Sequence, residues 1–449
     1  MASSYRQFID EVYEEHVEEA SFLYEQRLAF YVDQELPWFS YYSEELKLEA
    51  HLDGLIIGGQ RALSKAQEMA LEGDVGAIYT LLSLYCQLDQ ADKCLDAINE
   101  FDLDDPEVTQ AIQLALLHRM PLPWIDSCLQ KVANQQLILL SLFLPVLIKF
   151  SQVPSNIAFN RLVDGTFSDE QIDRVPFIQA TANFSELHSN EFLQHFMING
   201  CAEEKNAAVF SAFRLGRKLL VDQIMPSIAH HELPLLSIAT GASHTFFEDL
   251  IANDQVSWNE TRILCLAIGG LAEFIPELIK LLKDEENAEF AAKALFIITG
   301  ATLLENVFQE DSWDKEDLFE DEIEAFEKGV MPQRTDGRPF GEEVEKLTSS
   351  VEGWLKWWEL NHGHYVSGKR YRLGLLISPV SLVSTLNADN LIRELSYQEL
   401  IIRYKASQFF STQDCIQAQQ KSMIVLNQWA QTVEEKYDEG EWYFSGNKQ

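Results

Sequence analysis

Apolar residues recur three and four positions apart along nearly the whole chain, and alternating runs of the kind that make half-buried strands are few. That rhythm predicts an all-α protein. The first helix sets Ile9, Val12, Tyr13 and Val17 on one face, with Asp10, Glu11, Glu14, Glu15, Glu18 and Glu19 around the rest. Residues 1–70 read as an N-terminal helical cap. Downstream, 73–88, 91–101, 105–118 and 122–132 read as successive helices. The third opens with Asp105 as N-cap and Pro106 in the first turn. The most apolar stretch, 137–150, is interrupted by Ser141, Pro145 and Lys149. It falls short of the ~20 apolar residues that a spanning helix needs, so it is predicted to be a buried helix.

The middle of the chain repeats. FRLG, IATG, LAIG and IITG end at Gly216, Gly241, Gly269 and Gly300, roughly 30 residues apart, which is the period of stacked helical hairpins. Second amphipathic stretches follow, carried by Val221, Ile224, Met225 and Ile228, by Phe247, Leu250 and Ile251, and by Ile275, Leu278, Ile279 and Leu282. Each glycine is expected to end a helix in the left-handed conformation. Residues 71–304 are read as helical repeats, each with an apolar stripe too wide to bury without its neighbours.

The segment LAIGGLAEFIPELIKLLKDEENAEFAAKALFIITG, 266–300, resembles a bacterial HEAT-like repeat. Three further tracts, VEEASFLYEQRLAFY (17–31), HLDGLIIGGQRAL (51–63) and WLKWW…GKRYRLG (354–374), make the chain similar to the HEAT-like repeat proteins of unassigned biochemistry encoded in bacterial type VI secretion gene clusters. The likeness runs from about residue 17 to about residue 420. It implies a HEAT-like helical-repeat solenoid with N- and C-terminal helical caps. It also implies a cytoplasmic accessory of a secretion machine that handles effector or spike components. It carries over no catalytic residue, and the acidic stretch described next has no counterpart in it.

Charge changes the picture locally. The chain has 34 basic and 71 acidic residues, a formal net charge of -37, while 47% of residues are hydrophobic. That composition excludes a disordered acidic tail, and it argues against nucleic acid or an anionic membrane surface as partner. The acidity is uneven. Between residues 305 and 327 the only basic residue is Lys315, and Phe308, Trp313, Leu318, Phe319, Ile323 and Phe326 interleave with the carboxylates. We read 305–350 as an acidic insertion and loop, with Trp313, Phe319, Glu320, Asp321 and Glu322 as candidate partner-binding residues. SGKRYRLG, 367–374, is the one dense cationic patch, and Lys369, Arg370 and Arg372 are candidates there too. It would either hold an anionic segment or neutralise the protein's own insertion, and we prefer the second. Trp354, Trp357 and Trp358 share one helix face, expected to dock as core within a C-terminal helical cap, 351–449.

Reactive chemistry is sparse. The six cysteines form no CxxC pair and read as buried thiols of a reducing cytosol. His362 and His364 lack a third ligand for zinc. His230 and His231 read as capping residues at a helix boundary. His51 beside Asp53 suggests a structural hydrogen bond. GLIIGGQ, 54–60, lacks the lysine of a phosphate-binding loop and reads as a helix kink or close packing. No metal and no cofactor is expected. The N-terminus carries no secretory signal pattern, which points to the cytoplasm. The resulting expectation is a non-enzymatic protein-binding scaffold or adaptor with a basic partner. The alternative is an acidic immunity protein for a basic toxin. A HEAT-like enzyme ranks below both: a glycosylase needs a basic groove, and a lyase would have to use a cysteine such as Cys201.

Overall fold

A computed structural model describes every residue except 1, 33–36, 133–136, 151–172, 184–187, 229–232, 254–255, 312, 314–317, 319–322, 324–325, 327–328 and 335–336. The described residues form α-helices joined by short connections, with three two-stranded antiparallel ribbons. None of these helices is long and apolar enough to cross a membrane. The chain divides into two compact units: Met1–Asp249 together with Ile377–Gln449, and Leu250–Leu376.

In the first unit the predicted helices appear close to their expected bounds. Pro106–Arg119 begins where Asp105 accepts the Glu107 N–H at 2.8 Å. Leu137–Lys149 is largely buried despite Pro145. The helices Val75–Gln87, Pro106–Arg119, Leu137–Lys149, Val175–Ala180, Ala202–Arg214, Leu235–Gly241 and Asn390–Tyr404 pack each against the next in that order. Ala2–Val32 covers the start of this row by packing on Val75–Gln87, where Tyr24 stacks on Tyr79 at 4.4 Å. The repeat glycines divide by role. Gly216 and Gly300 take the expected left-handed conformation, and Gly270 takes it in place of Gly269. Gly241 stays helical, and a Cβ there would come 2.5 Å from the Phe213 ring. The tract 54–60 breaks at Gly59, which separates the helices Tyr42–Gly58 and Gln60–Leu71.

A polar clasp joins the two ends of this unit. Arg27 pairs with Glu45 at 3.1 Å and donates to the carbonyls of Gln413 and Asp414. Glu45 accepts the Ile416 N–H, and Lys149 pairs with Asp414 at 2.8 Å. His118 belongs to the same cluster. Its Nε2 donates to the Gln413 carbonyl, so its Nδ1 accepts the Tyr79 hydroxyl at 2.9 Å. Burial, then the Arg27 guanidinium, with Arg119 and Lys149 contributing, hold the imidazole well below its usual range, against the lift from its hydrogen bond to the Gln413 carbonyl. The unfolded chain therefore binds a proton near pH 6.5 that the folded chain refuses, and stability must fall as pH drops below that point. We expect His118→Gln to remove up to about 1.4 kcal/mol per pH unit of that slope. Urea unfolding of both proteins between pH 7 and pH 5 measures it, and equal slopes would contradict the assignment.

In the second unit, Glu260–Gly269 and Ile275–Leu281 pack on Ala288–Thr299. The strands β1 (Leu304–Glu310) and β2 (Gly341–Leu347) pair from Leu304↔Leu347 to Glu310↔Gly341. They leave the helical pattern where the sequence reading had placed an insertion and loop. The helix Val351–Asn361 follows, N-capped by Ser350.

A supersecondary module occurs twice, once in each unit. Tyr365, Gly368, Tyr371 and Gly374 recur as Tyr437, Gly440, Tyr443 and Gly446. In both copies a helix (Val351–Asn361 or Ile416–Val433) runs into a single 3-10 turn and then a two-residue hairpin. The strands are β3 (Tyr371–Arg372) with β4 (Leu375–Leu376), and β5 (Tyr443–Phe444) with β6 (Asn447–Lys448). Both central turn residues have positive φ, Leu373 and Gly374 in one and Ser445 and Gly446 in the other, as a type I′ turn requires. The two turn amides donate to the last carbonyls of an earlier helix. Leu373 and Gly374 bind Ile297 and Ile298, whereas Ser445 and Gly446 bind Ile402 and Arg403. The leading tyrosine adds its hydroxyl, Tyr365 to the Thr299 carbonyl and Tyr437 to the Tyr404 carbonyl. Each hook thereby satisfies carbonyls that a helix C-terminus leaves without intrahelical partners.

Candidate functional site

The hook explains the cationic patch. Arg370 and Arg372 are fully buried. Arg370 donates from Nε to the Gly269 carbonyl at 3.0 Å and from Nη2 to Ile268 at 2.8 Å, while Arg372 reaches Ile268 at 3.4 Å. Cations at the C-terminal end of Glu260–Gly269 also suit its dipole. This corrects the expected placement: a side chain with no exposed area cannot lie on a partner-facing surface. Lys369 is half-buried in the same turn. Glu273 accepts the Ser367 hydroxyl and the Gly368 N–H and so fixes the start of the turn.

Of the candidates in the acidic insertion, Phe319, Glu320, Asp321 and Glu322 lie outside the described residues. Trp313 is half-buried, edge-on to Phe340 at 5.5 Å just beyond the end of the β1–β2 ribbon. The ribbon itself is the more informative feature. Every residue of β1 is exposed, including Leu304, Val307 and Phe308. Glu305, Glu310, Glu342, Glu343 and Glu345 stand on it against Lys346 alone. Among the described residues no third strand joins it.

An isolated hairpin is marginal in water, and this one is tethered at its base. Thr348 donates to the Leu303 carbonyl at 2.8 Å, and Ser349 donates to the Glu305 carboxylate. Beneath them Trp354 is fully buried, with its indole N–H on the Thr348 carbonyl at 2.9 Å. Trp357 and Trp358 are half-buried against Tyr365. The tryptophan face is thus core at Trp354 and a partly open aromatic border beyond it.

The module repeat sets the ribbon in context. In the second copy the corresponding interval, 405–415, is short. It carries Gln413 and Asp414 onto Arg27, His118 and Lys149. In the first copy the interval is 300–350 and holds the ribbon and the acidic stretch.

The remaining candidates are resolved by their contacts. His51 bonds His16, Nδ1 to Nδ1 at 2.9 Å, in place of the expected Asp53. His362 and His364 are exposed, whereas His230 and His231 lie outside the described residues. Cys86, Cys94, Cys128 and Cys265 are buried, Cys415 is half-buried and Cys201 is exposed. No group of three metal-ligating side chains converges among the described residues.

Sequence reasoning missed a cleft in the first unit. It encloses about 1320 Å3 of empty space, its open mouth included. Its polar lining includes Arg214, Glu394 and Gln398, and its apolar walls include Ile148, Phe210 and Phe409. These residues come from stretches far apart in sequence, near 148, 210–214 and 394–409, and carry no shared motif. Comparisons with protein-family models, with curated proteins and with solved structures find no match to this chain.

Proposed function

We propose that this chain is a non-enzymatic protein-binding scaffold whose recognition element is the acidic β1–β2 ribbon and whose partner is a basic protein. The observation that carries this reading is a strand exposed at every position, apolar and acidic at once, in a ribbon that no third strand joins among the described residues. Such an edge adds a partner strand through main-chain hydrogen bonds, and its carboxylates steer cationic partners toward it. The ordered row of helices in the first unit supports a HEAT-like solenoid as the frame, with the terminal helical segments as caps. The likeness of 17–31, 51–63 and 354–374 to the type VI secretion family supports a cytoplasmic accessory role, with an effector or spike component as the basic partner.

The test compares wild type with a triple variant, Glu342→Lys, Glu343→Lys and Glu345→Lys, in co-purification from native cells at low salt. Wild type is expected to retain a basic protein that high salt releases, and the variant to retain none of it while melting at an unchanged temperature. Equal recovery by both proteins would remove the ribbon from recognition. Recovery of a cognate toxin would make the role immunity rather than delivery.

A further inference from the structure

The cleft of the first unit has a composition that packing alone does not explain. Arg214, at the end of Ala202–Arg214, is half-buried, with the neutral Tyr397 phenol rather than a carboxylate as its titratable neighbour among the described residues. Burial lowers its guanidinium from the ordinary value. Glu394, from Asn390–Tyr404, is exposed at the rim of the cleft, and the protein packed around it raises its carboxyl. Among the described residues no cation acts on it. One helical turn further on, Gln398 holds its Oε1 buried without a hydrogen-bond partner among the described residues. Tyr397, by contrast, is satisfied: it donates to the Gln408 carbonyl and accepts the Phe410 N–H. Leu117, Pro145, Ile148, Phe210 and Phe409 supply apolar wall.

Of these groups the Gln398 amide oxygen is the costly one, buried and without a partner among the described residues, while Arg214 and Glu394 offer a cation and an anion at the same concavity. They are also complementary to a single kind of molecule. We propose that this cleft binds a small zwitterion with an apolar side group, an amino acid or short peptide, its carboxylate on Arg214 and its ammonium on Glu394 and Oε1 of Gln398. Ligand pockets have this form, mostly apolar with a few convergent polar groups. Arg214 and Glu394 line the same cleft without forming an ion pair with each other among the described residues. The inference is independent of the ribbon.

Calorimetric titration of the full chain with L-phenylalanine, its N-acetyl derivative, its amide and the dipeptide phenylalanyl-phenylalanine tests it. The free amino acid or the dipeptide is expected to bind, and whichever binds more tightly identifies the source. Blocking either end of the amino acid is expected to weaken binding by about tenfold or more, the worth of one charge-assisted hydrogen bond. Arg214→Gln is expected to abolish the preference for acid over amide, and Glu394→Gln the preference for free over acetylated amine. Both variants should fold as wild type does, because neither group has a charged partner among the described residues to lose. No binding of the acid or the dipeptide at 10 mM ligand (a concentration about tenfold above a millimolar Kd) would overturn the proposal. So would equal affinity for the capped and free forms, or capping preferences that survive both substitutions.

Discussion

Arg403→Met is expected to cost about 3–5 kcal/mol of the first unit's stability, the usual result of breaking a buried pair from one side. Arg403 and Glu399 have no exposed side-chain area, and their ion pair is 2.8 Å long. The guanidinium also donates to the carbonyls of Ala239, Ala242 and Tyr443 and lies 5.3 Å from the Trp442 ring. It therefore ties the end of Leu235–Gly241 to the second hook. Methionine fills similar volume but removes the guanidinium that Glu399 pairs with in the core and leaves three carbonyls short of a donor. Adding Glu399→Leu should restore part of the loss by removing the buried carboxyl that had paired with Arg403, and the carbonyls account for the remainder. Urea unfolding followed by circular dichroism measures both. A single variant within about 1 kcal/mol of wild type would show that the pair contributes only as much as a surface one.

The second large effect is expected at Trp354. Trp354→Ala should cost about 3–5 kcal/mol by opening a cavity in the core of the second unit. Trp354→Phe retains much of the packing but leaves the Thr348 carbonyl without its N–H donor, so about 1–3 kcal/mol is expected. The two variants also separate stability from recognition. Thr348 adjoins β2, so alanine should loosen the ribbon and speed amide exchange in 341–347. Slowed or unchanged exchange there would show that the ribbon is held by something other than its Trp354 base.

How much of this was legible depends on the range of the interaction. The helix Pro106–Arg119 was readable because Asp105 and Pro106 are local signals, and the row of inner helices because apolar spacing is local too. β1 was not: LENVFQE sits among carboxylates, and its partner strand lies beyond a long interval, so only pairing reveals it. The sequence reading divided the chain into four consecutive segments. The discontinuous first unit depends on contacts such as Arg27 with Asp414, which no local pattern encodes. SGKRYRLG was noticed for its charge, yet its informative residues are Tyr371 and Gly374, which match Tyr443 and Gly446. The buried arginines follow from helix-end carbonyls that a sequence does not display. The cleft is the extreme case, since Arg214 and Glu394 acquire meaning only from proximity.

Amide hydrogen exchange of the full chain, with and without its purified basic partner, tests the central claim most directly. Binding is expected to slow exchange in 304–310 and 341–347, and the slowing should vanish in the Glu342, Glu343 and Glu345 charge reversal. Protection confined to other segments, with those two strands exchanging as fast as in the free protein, would contradict the account.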